Sequence, residues 1–162
     1  MRPWFLLFLI VLAPRTYAAL PPYPIPSALA VAAPNFHVTD DKGRVWTLAD
    51  TKDKPVLIDF WATWCRPCLD ANPSLNNFYR KHGARLNILG LNIDIQGWSV
   101  AKPMAERYAM GYPYAVVEPK LSKVFGAKGY PFMAVVYQGK IVKTLVGGRK
   151  VKDLEKELAP WL

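Results

Sequence analysis

Residues 55–61, Pro-Val-Leu-Ile-Asp-Phe-Trp, form an apolar run of strand length without polar alternation. That is the pattern of a central strand covered on both faces, so the chain must supply layers above and below it. One charge interrupts the run. Asp59 stands in its middle, where an unpaired carboxylate is costly and a solvated surface role does not fit. Just beyond its end come the chain's two cysteines, Cys65 and Cys68.

The elements around this strand follow from periodicity. Phe36-His37-Val38 and Val45-Trp46-Thr47-Leu48 flank Thr39-Asp40-Asp41-Lys42-Gly43, whose Asp and Gly residues supply turn conformations, so a hairpin is expected there. From Cys68 to Lys81, Leu69, Leu75 and Phe78 recur near helical spacing, and Gly83 follows as a stop signal. Leu86–Ile95 reads as a second buried strand, Ser99–Met110 as a helix, Tyr114–Val117 as a short strand and Leu121–Phe125 as about one helical turn. Phe132–Tyr137 and Ile141–Val146 form a hairpin about Gln138-Gly139-Lys140, and Val151–Leu158 closes the chain as an amphipathic helix. Strands alternating with helices, then a hairpin and a helix, define an α/β fold: a central mixed β-sheet with helices on both faces. A length of 162 residues allows one domain with a short appendage, and 52% hydrophobic against 20% charged residues excludes a disordered chain.

The appendage is amino-terminal. Met1-Arg2 precedes the unbroken apolar stretch Trp4–Ala13, followed by Pro14, Arg15 and Thr16-Tyr17-Ala18-Ala19. This is the layout of a secretory signal with removal after Ala18. The apolar stretch is much shorter than the ~20 residues that span a bilayer, so a membrane enters only if the segment is retained as an anchor. Residues 1–18 are expected as a signal peptide and residues 19–34, with Pro21, Pro22, Pro24, Pro26 and Pro34, as an extended linker. Residues 35–162 are expected as the folded domain. Export to a periplasmic or otherwise extracytoplasmic compartment permits disulfide chemistry. Without Arg2 and Arg15 the net charge falls from +9 to +7, but no basic block is interleaved with stacking aromatics, so no nucleic-acid partner is expected.

Two cysteines exclude a multi-disulfide scaffold and a four-cysteine zinc site. Trp64-Cys65-Arg66-Pro67-Cys68 lies where the strand hands over to a helix. Unpaired backbone N–H groups and the positive end of the helix dipole favour an anion there, so a thiolate is stabilised as a nucleophile. Two intervening residues keep the second sulfur within bonding reach, and the pair can cycle between dithiol and disulfide without unfolding. As a staple the bridge is weak, because closing so small a loop constrains the unfolded chain by only on the order of 2 kcal/mol. Haem attachment requires a histidine directly after the second cysteine, where Leu69 stands. Zinc needs two further ligands, and His37 and His82 lie far apart without ligand spacing, so no metal is expected.

Phe60-Trp61-Ala62-Thr63-Trp64-Cys65-Arg66-Pro67-Cys68 resembles the active-site signature of the thioredoxin superfamily. The wording Ala-Thr-Trp-Cys-Arg-Pro-Cys is most similar to the TlpA/ResA-like exported thiol-disulfide oxidoreductases, and the resemblance runs from about Asn35 to Leu162. It implies a thioredoxin fold with an N-terminal β-hairpin and an extra strand-helix segment inserted between Asp94 and Pro131. It also implies a Cys65–Cys68 disulfide in which Cys65 attacks and Cys68 resolves, with Trp64, Arg66 and Pro67 contacting substrate or tuning the pair. Asp59 corresponds to the buried aspartate that accepts the proton of the second cysteine. Tyr130-Pro131 matches the cis-proline loop that packs on the disulfide and pairs with substrate backbone, and Gly147-Gly148 matches glycines that approach the site closely. Two positions depart from the pattern. Ala71, with Asp70 beside it, replaces a glutamate that many ResA-like proteins carry, and Gly90 stands where thioredoxins often place a lysine. The partner that would keep Asp59 ionised is therefore missing, and proton handling is left to Asp59.

The expected function is reduction of disulfides by exchange through a mixed disulfide, with no bound cofactor. Its partners would be extracytoplasmic protein thiols or disulfides and a membrane electron donor such as a thiol-disulfide transporter. Within the same chemistry the alternative is a disulfide-donating oxidase or isomerase. A non-enzymatic binding module of the same fold has no need of Cys65, Cys68, Asp59 and Pro131 together. A peroxidase fits less well: Thr63 stands two residues before Cys65, and the Pro-x-x-x-Thr-x-x-Cys spacing is absent.

Overall fold

The computed structural model describes residues 30–162. The expected signal peptide and the linker as far as residue 29 lie outside the described residues. In chain order the strands are β1 (Val31–Ala32), β2 (His37–Thr39), β3 (Val45–Thr47), β4 (Val56–Trp61), β5 (Asn87–Asn92), β6 (Tyr114–Val116), β7 (Phe132–Tyr137) and β8 (Lys140–Val146). The helices are α1 (Arg66–His82), α2 (Trp98–Arg107), α3 (Pro119–Val124) and α4 (Val151–Leu158).

One six-stranded sheet runs in the order β1-β8-β7-β4-β5-β6, and β2 and β3 form a separate hairpin. β4, β5 and β6 are parallel neighbours, whereas β7 pairs antiparallel with both β4 and β8. The sheet is mixed, with β4 inside it.

Every residue of β4 is buried. The absence of alternation is explained by two cores, one on each side of the sheet. Val56, Ile58 and Phe60 join Leu89, Ala101, Ala105 and Phe125 on the face covered by α2, α3 and the hairpin. Leu57 joins Leu75 and Phe78 of α1 and Leu154 and Leu158 of α4 on the other. The segment between β5 and β7 holds α2, β6 and α3, and β6 extends the sheet beyond β5.

Some boundaries differ from the sequence expectation for local reasons. α1 begins at Arg66 rather than Cys68, because Pro67 is tolerated in the first turn, where its missing N–H has no intrahelical partner to lose. β5 ends at Asn92 because the Asp94 carboxylate turns to the loop after β4. The sheet also takes up Val31 and Ala32, which the linker expectation covered: Val31 pairs with Ile141 and Ala32 with Lys140. The prolines at 21–26 precede this segment, so its own N–H groups are free to pair with the otherwise open edge of β8. Among the described residues no helix is long and apolar enough to cross a membrane.

Asp40 organises the hairpin turn. Its Oδ1 accepts from the backbone N–H groups of Lys42 and Arg44, both at 2.9 Å, and its Oδ2 accepts from Trp46 Nε1 at 2.8 Å. Gly43 supplies the φ of +82° that the turn requires. Asp40→Ala would leave the buried Trp46 indole and two backbone donors unpaired. We expect a loss of about 2–3 kcal/mol in urea unfolding, with the chain still folded at neutral pH.

Candidate active site

β4 delivers the chain to the C-terminal end of the parallel strands, and α1 starts after a short loop. Cys65 is the N-cap of α1, and its Sγ accepts the N–H of Cys68 at 3.3 Å. An anion on that sulfur faces the unpaired donors of the first turn and the positive end of a 17-residue helix. Cys65 and Cys68 are joined by a disulfide, and both are buried.

The loop before Cys65 is held from the side by Asp94. Its buried carboxylate accepts from Thr63 N at 2.8 Å, Thr63 Oγ1 at 2.9 Å and Asn92 Nδ2 at 2.8 Å. Asn92 Oδ1 in turn accepts from Asp94 N at 3.0 Å. This clasp ties the end of β5 to the residue two before the first cysteine.

Other expected site residues fall into two groups. Trp64 is 63% exposed, and its ring meets Tyr130 edge-on with centroids 5.7 Å apart. Tyr130 Oη lies 2.6 Å from Ser122 Oγ, the Tyr130–Pro131 peptide is cis, and Pro131 O accepts from Gly147 N at 2.8 Å. The Arg66 guanidinium instead faces along the exposed side of α1, pairing with Asp70 at 2.9 Å and donating to Tyr108 Oη at 3.3 Å. Its charge is therefore shared with a carboxylate four residues on. Pro67 sits in the first turn of α1, and a side-chain carbon at Gly148 would stand 3.8 Å from Pro67 O and from Ala71 Cβ. That is ordinary contact distance, so Gly148 borders the site without being sterically obligatory. His82 bonds Glu155 at 2.9 Å, far along α1 from the cysteines.

Asp59 is 2% exposed in the middle of β4, between Gly90 of β5 and Met133 of β7. Burial pushes its carboxyl up to about 7, while a hydrogen bond from Tyr112 Oη to Asp59 Oδ2 at 3.1 Å pulls the other way. Sequence reading missed Tyr112, which lies 53 positions away and in no shared pattern. The signal that existed was Gly90, an empty place beside a buried acid. It also missed the Asp94 clasp, because Leu86–Ile95 read as one apolar strand. The polar pair Asn92 and Asp94 inside that run was the available clue.

A strand-to-helix junction carrying a Cys-x-x-Cys disulfide at the helix N-cap, with a buried carboxyl in the strand that leads to it, defines a dithiol site on a thioredoxin fold. Comparison with known proteins agrees. A profile of the AhpC/TSA family matches residues 29–144, and the chain belongs to that family. It is 32% identical over 136 residues to the thiol-disulfide oxidoreductase ResA of Bacillus anthracis, covering 79% of this chain and 77% of that one. It is 31% identical to ResA of Geobacillus kaustophilus over 81% of this chain and 76% of that one. Among solved structures, a DsbE thiol:disulfide interchange protein of Chlorobium tepidum is similar, with a TM-score of 0.72 and 28% identity over 83% of this chain and 98% of that one. The protein is a ResA-like thiol-disulfide oxidoreductase, as the cysteine motif led one to expect.

The raised carboxyl has a consequence for stability. An acid whose folded pKa is about 7 binds more protons folded than unfolded between about pH 4 and 7, so its contribution to stability falls as pH rises through that window. Ionising Asp59 inside the oxidised protein costs up to about 4 kcal/mol, taking the rise from 3.8 to about 7 at 1.36 kcal/mol per pH unit. Asp59→Asn removes this cost. Its stability relative to the parent should grow by a few kcal/mol between about pH 4 and pH 8 in urea unfolding, and a pH-independent difference would contradict the assignment.

Proposed function

We propose that the protein is exported, by the amino-terminal signal, and reduces disulfides of extracytoplasmic proteins. The observation that carries the chemistry is the position of Cys65 as N-cap of α1 with its Sγ receiving the Cys68 N–H. The N-terminal end of α1 favours the thiolate form of a reduced Cys65, and that thiolate attacks one sulfur of a client disulfide. A mixed disulfide forms, and the first client sulfur leaves as a thiolate that takes up a proton. Asp59 accepts the proton of Cys68. The Cys68 thiolate then attacks Cys65 Sγ, the second client thiolate departs, and the Cys65–Cys68 disulfide is left behind. No metal or organic cofactor is required by this sequence of steps.

The exposed Trp64 ring, packed on Tyr130, gives a client chain an apolar surface beside the disulfide, and the backbone before Pro131 supplies polar partners for an extended segment. Each turnover leaves the enzyme oxidised, so a donor of two electrons must restore it. Outside the cytoplasm a membrane thiol-disulfide transporter fills that role.

The direction rests on how strongly the reduced state is stabilised. A strong oxidant needs a heavily stabilised thiolate, whereas here the Arg66 charge is shared with Asp70 and Pro67 adds none. The potential should fall roughly between −270 and −180 mV, from equilibration against glutathione buffers. A value near −120 mV would turn the reading to a disulfide-donating oxidase. Cys68→Ser should accumulate mixed disulfides with client proteins through Cys65, and Cys65→Ser should accumulate none. Equal trapping by both variants would remove the assignment of roles.

A further inference from the structure

Asp59 has lost the lysine that the family resemblance led one to look for, and the structure shows what occupies the space. In register with Asp59 across the β4–β5 ladder stands Gly90. A side-chain carbon at Gly90 would fall 3.1 Å from Tyr112 Cε2, 3.2 Å from Trp61 Nε1 and 3.2 Å from Tyr114 Cβ. Those distances are tighter than ordinary carbon contacts, so any side chain here would have to displace its neighbours. The glycine and the tyrosine are one feature: the missing Cβ admits the Tyr112 ring, and the ring brings a hydroxyl to the buried carboxyl.

We propose that Tyr112 is a positioning residue of the redox site, its hydroxyl holding the Asp59 carboxylate oriented and ready to accept the proton of Cys68. The proposal rests on Asp59 acting as that proton acceptor. Tyr112 is 2% exposed, and its ring is fixed edge-on to Tyr79 of α1 at 6.4 Å, so the hydroxyl is placed by packing. Gly111 N donates to Asn76 Oδ1 at 2.7 Å and Asn76 Nδ2 donates to Ala109 O at 2.8 Å, which pins the segment before Tyr112 to α1. α1 also carries Cys68, so one helix positions both the proton's source and the group that orients its acceptor.

The neighbours of Asp59 leave this role to Tyr112. Gly90 from β5 and Met133 from β7 flank it without a titratable group. Among the described residues Tyr112 is the side chain hydrogen-bonded to it and the titratable group acting on it. The chemistry differs from that of a lysine. A lysine would hold the carboxylate ionised through charge. A phenol is neutral at physiological pH: it donates to the carboxylate, and it can turn its hydrogen away and accept once the carboxyl is protonated. The acceptor is thus kept oriented in both protonation states. Burial raises the Asp59 carboxyl and the phenol restrains that rise, which leaves a base able to titrate near neutrality.

Tyr112→Phe removes the hydroxyl and keeps the ring, so packing against Tyr79 is retained. A preformed mixed disulfide between reduced enzyme and a model peptide is followed to its resolution by Cys68, as a function of pH, in the parent, Tyr112→Phe and Asp59→Asn. In the parent the rate has an acid limb set by Asp59. Loss of a hydrogen bond to a charged group should move that limb up by about one to two pH units in Tyr112→Phe, slowing resolution about tenfold or more below it. Formation of the mixed disulfide by Cys65 should be unchanged. The ¹³C chemical shift of the Asp59 carboxyl, titrated in the same proteins, should show the same displacement whether or not turnover is affected. If Asp59→Asn abolishes the limb while Tyr112→Phe leaves both limb and carboxyl titration in place, the role of Tyr112 is overturned and that of Asp59 stands. If Asp59→Asn leaves the limb intact, the proton-acceptor reading itself fails, and the present proposal with it.

Discussion

Burial of β4 on both faces is the constraint on which the rest of the molecule turns. A strand with one exposed face tolerates small shifts in pairing, but here a slip by one residue would move every β4 side chain to the opposite core. Leu57 belongs with α1 and α4, and Val56, Ile58 and Phe60 belong with α2 and α3. The register is therefore fixed by apolar volume alone. Fixing it also fixes where β4 ends, and so where Cys65 meets the start of α1. The Cys65 sulfur is thus placed by hydrophobic packing some distance away from it.

Polar groups then refine what packing has set. The Asp94 clasp reaches the loop from β5, and the Tyr112 hydroxyl reaches Asp59 from the segment between α2 and β6. Both depend on the inserted segment or on its attachment point at the end of β5. The insertion extends the sheet, and it also carries the phenol to a carboxyl that the parallel neighbour leaves bare.

The legible parts of the sequence were those governed by one local period or one local rule. β7 and α4 fall on the expected residues, and the hairpin about Gly43 forms where Asp and Gly marked it. The strand-helix junction was legible because Trp61 to Cys68 carries its own signals in contiguous residues. What was not legible depends on pairs brought together from afar. No periodic pattern connects Tyr112 to Asp59, and Asp94 lay inside an apolar run whose length concealed the turn. Val31 and Ala32 were lost for another reason: a proline-rich neighbourhood set the expectation, while the bonds that make the strand are supplied by β8. Arg66 is a different case, since its pairing with Asp70 is local, at i and i+4 on α1, and was within reach of helical spacing alone.

The two edges of the sheet are blunted by different means. At one side β1 covers the start of β8, and further along that strand Lys143 reaches back to Glu157 at 3.6 Å. At the other, the hairpin turn blocks β6: Asp41 N donates to Tyr114 O at 2.8 Å, and Asp41 Oδ1 accepts from Tyr114 N at 3.2 Å. Proteins whose disulfides are being rearranged carry unpaired extended segments, and an open sheet edge is a ready template for them. Where these contacts lie, at Tyr114 and at the start of β8, the sheet offers less open ladder to a foreign strand.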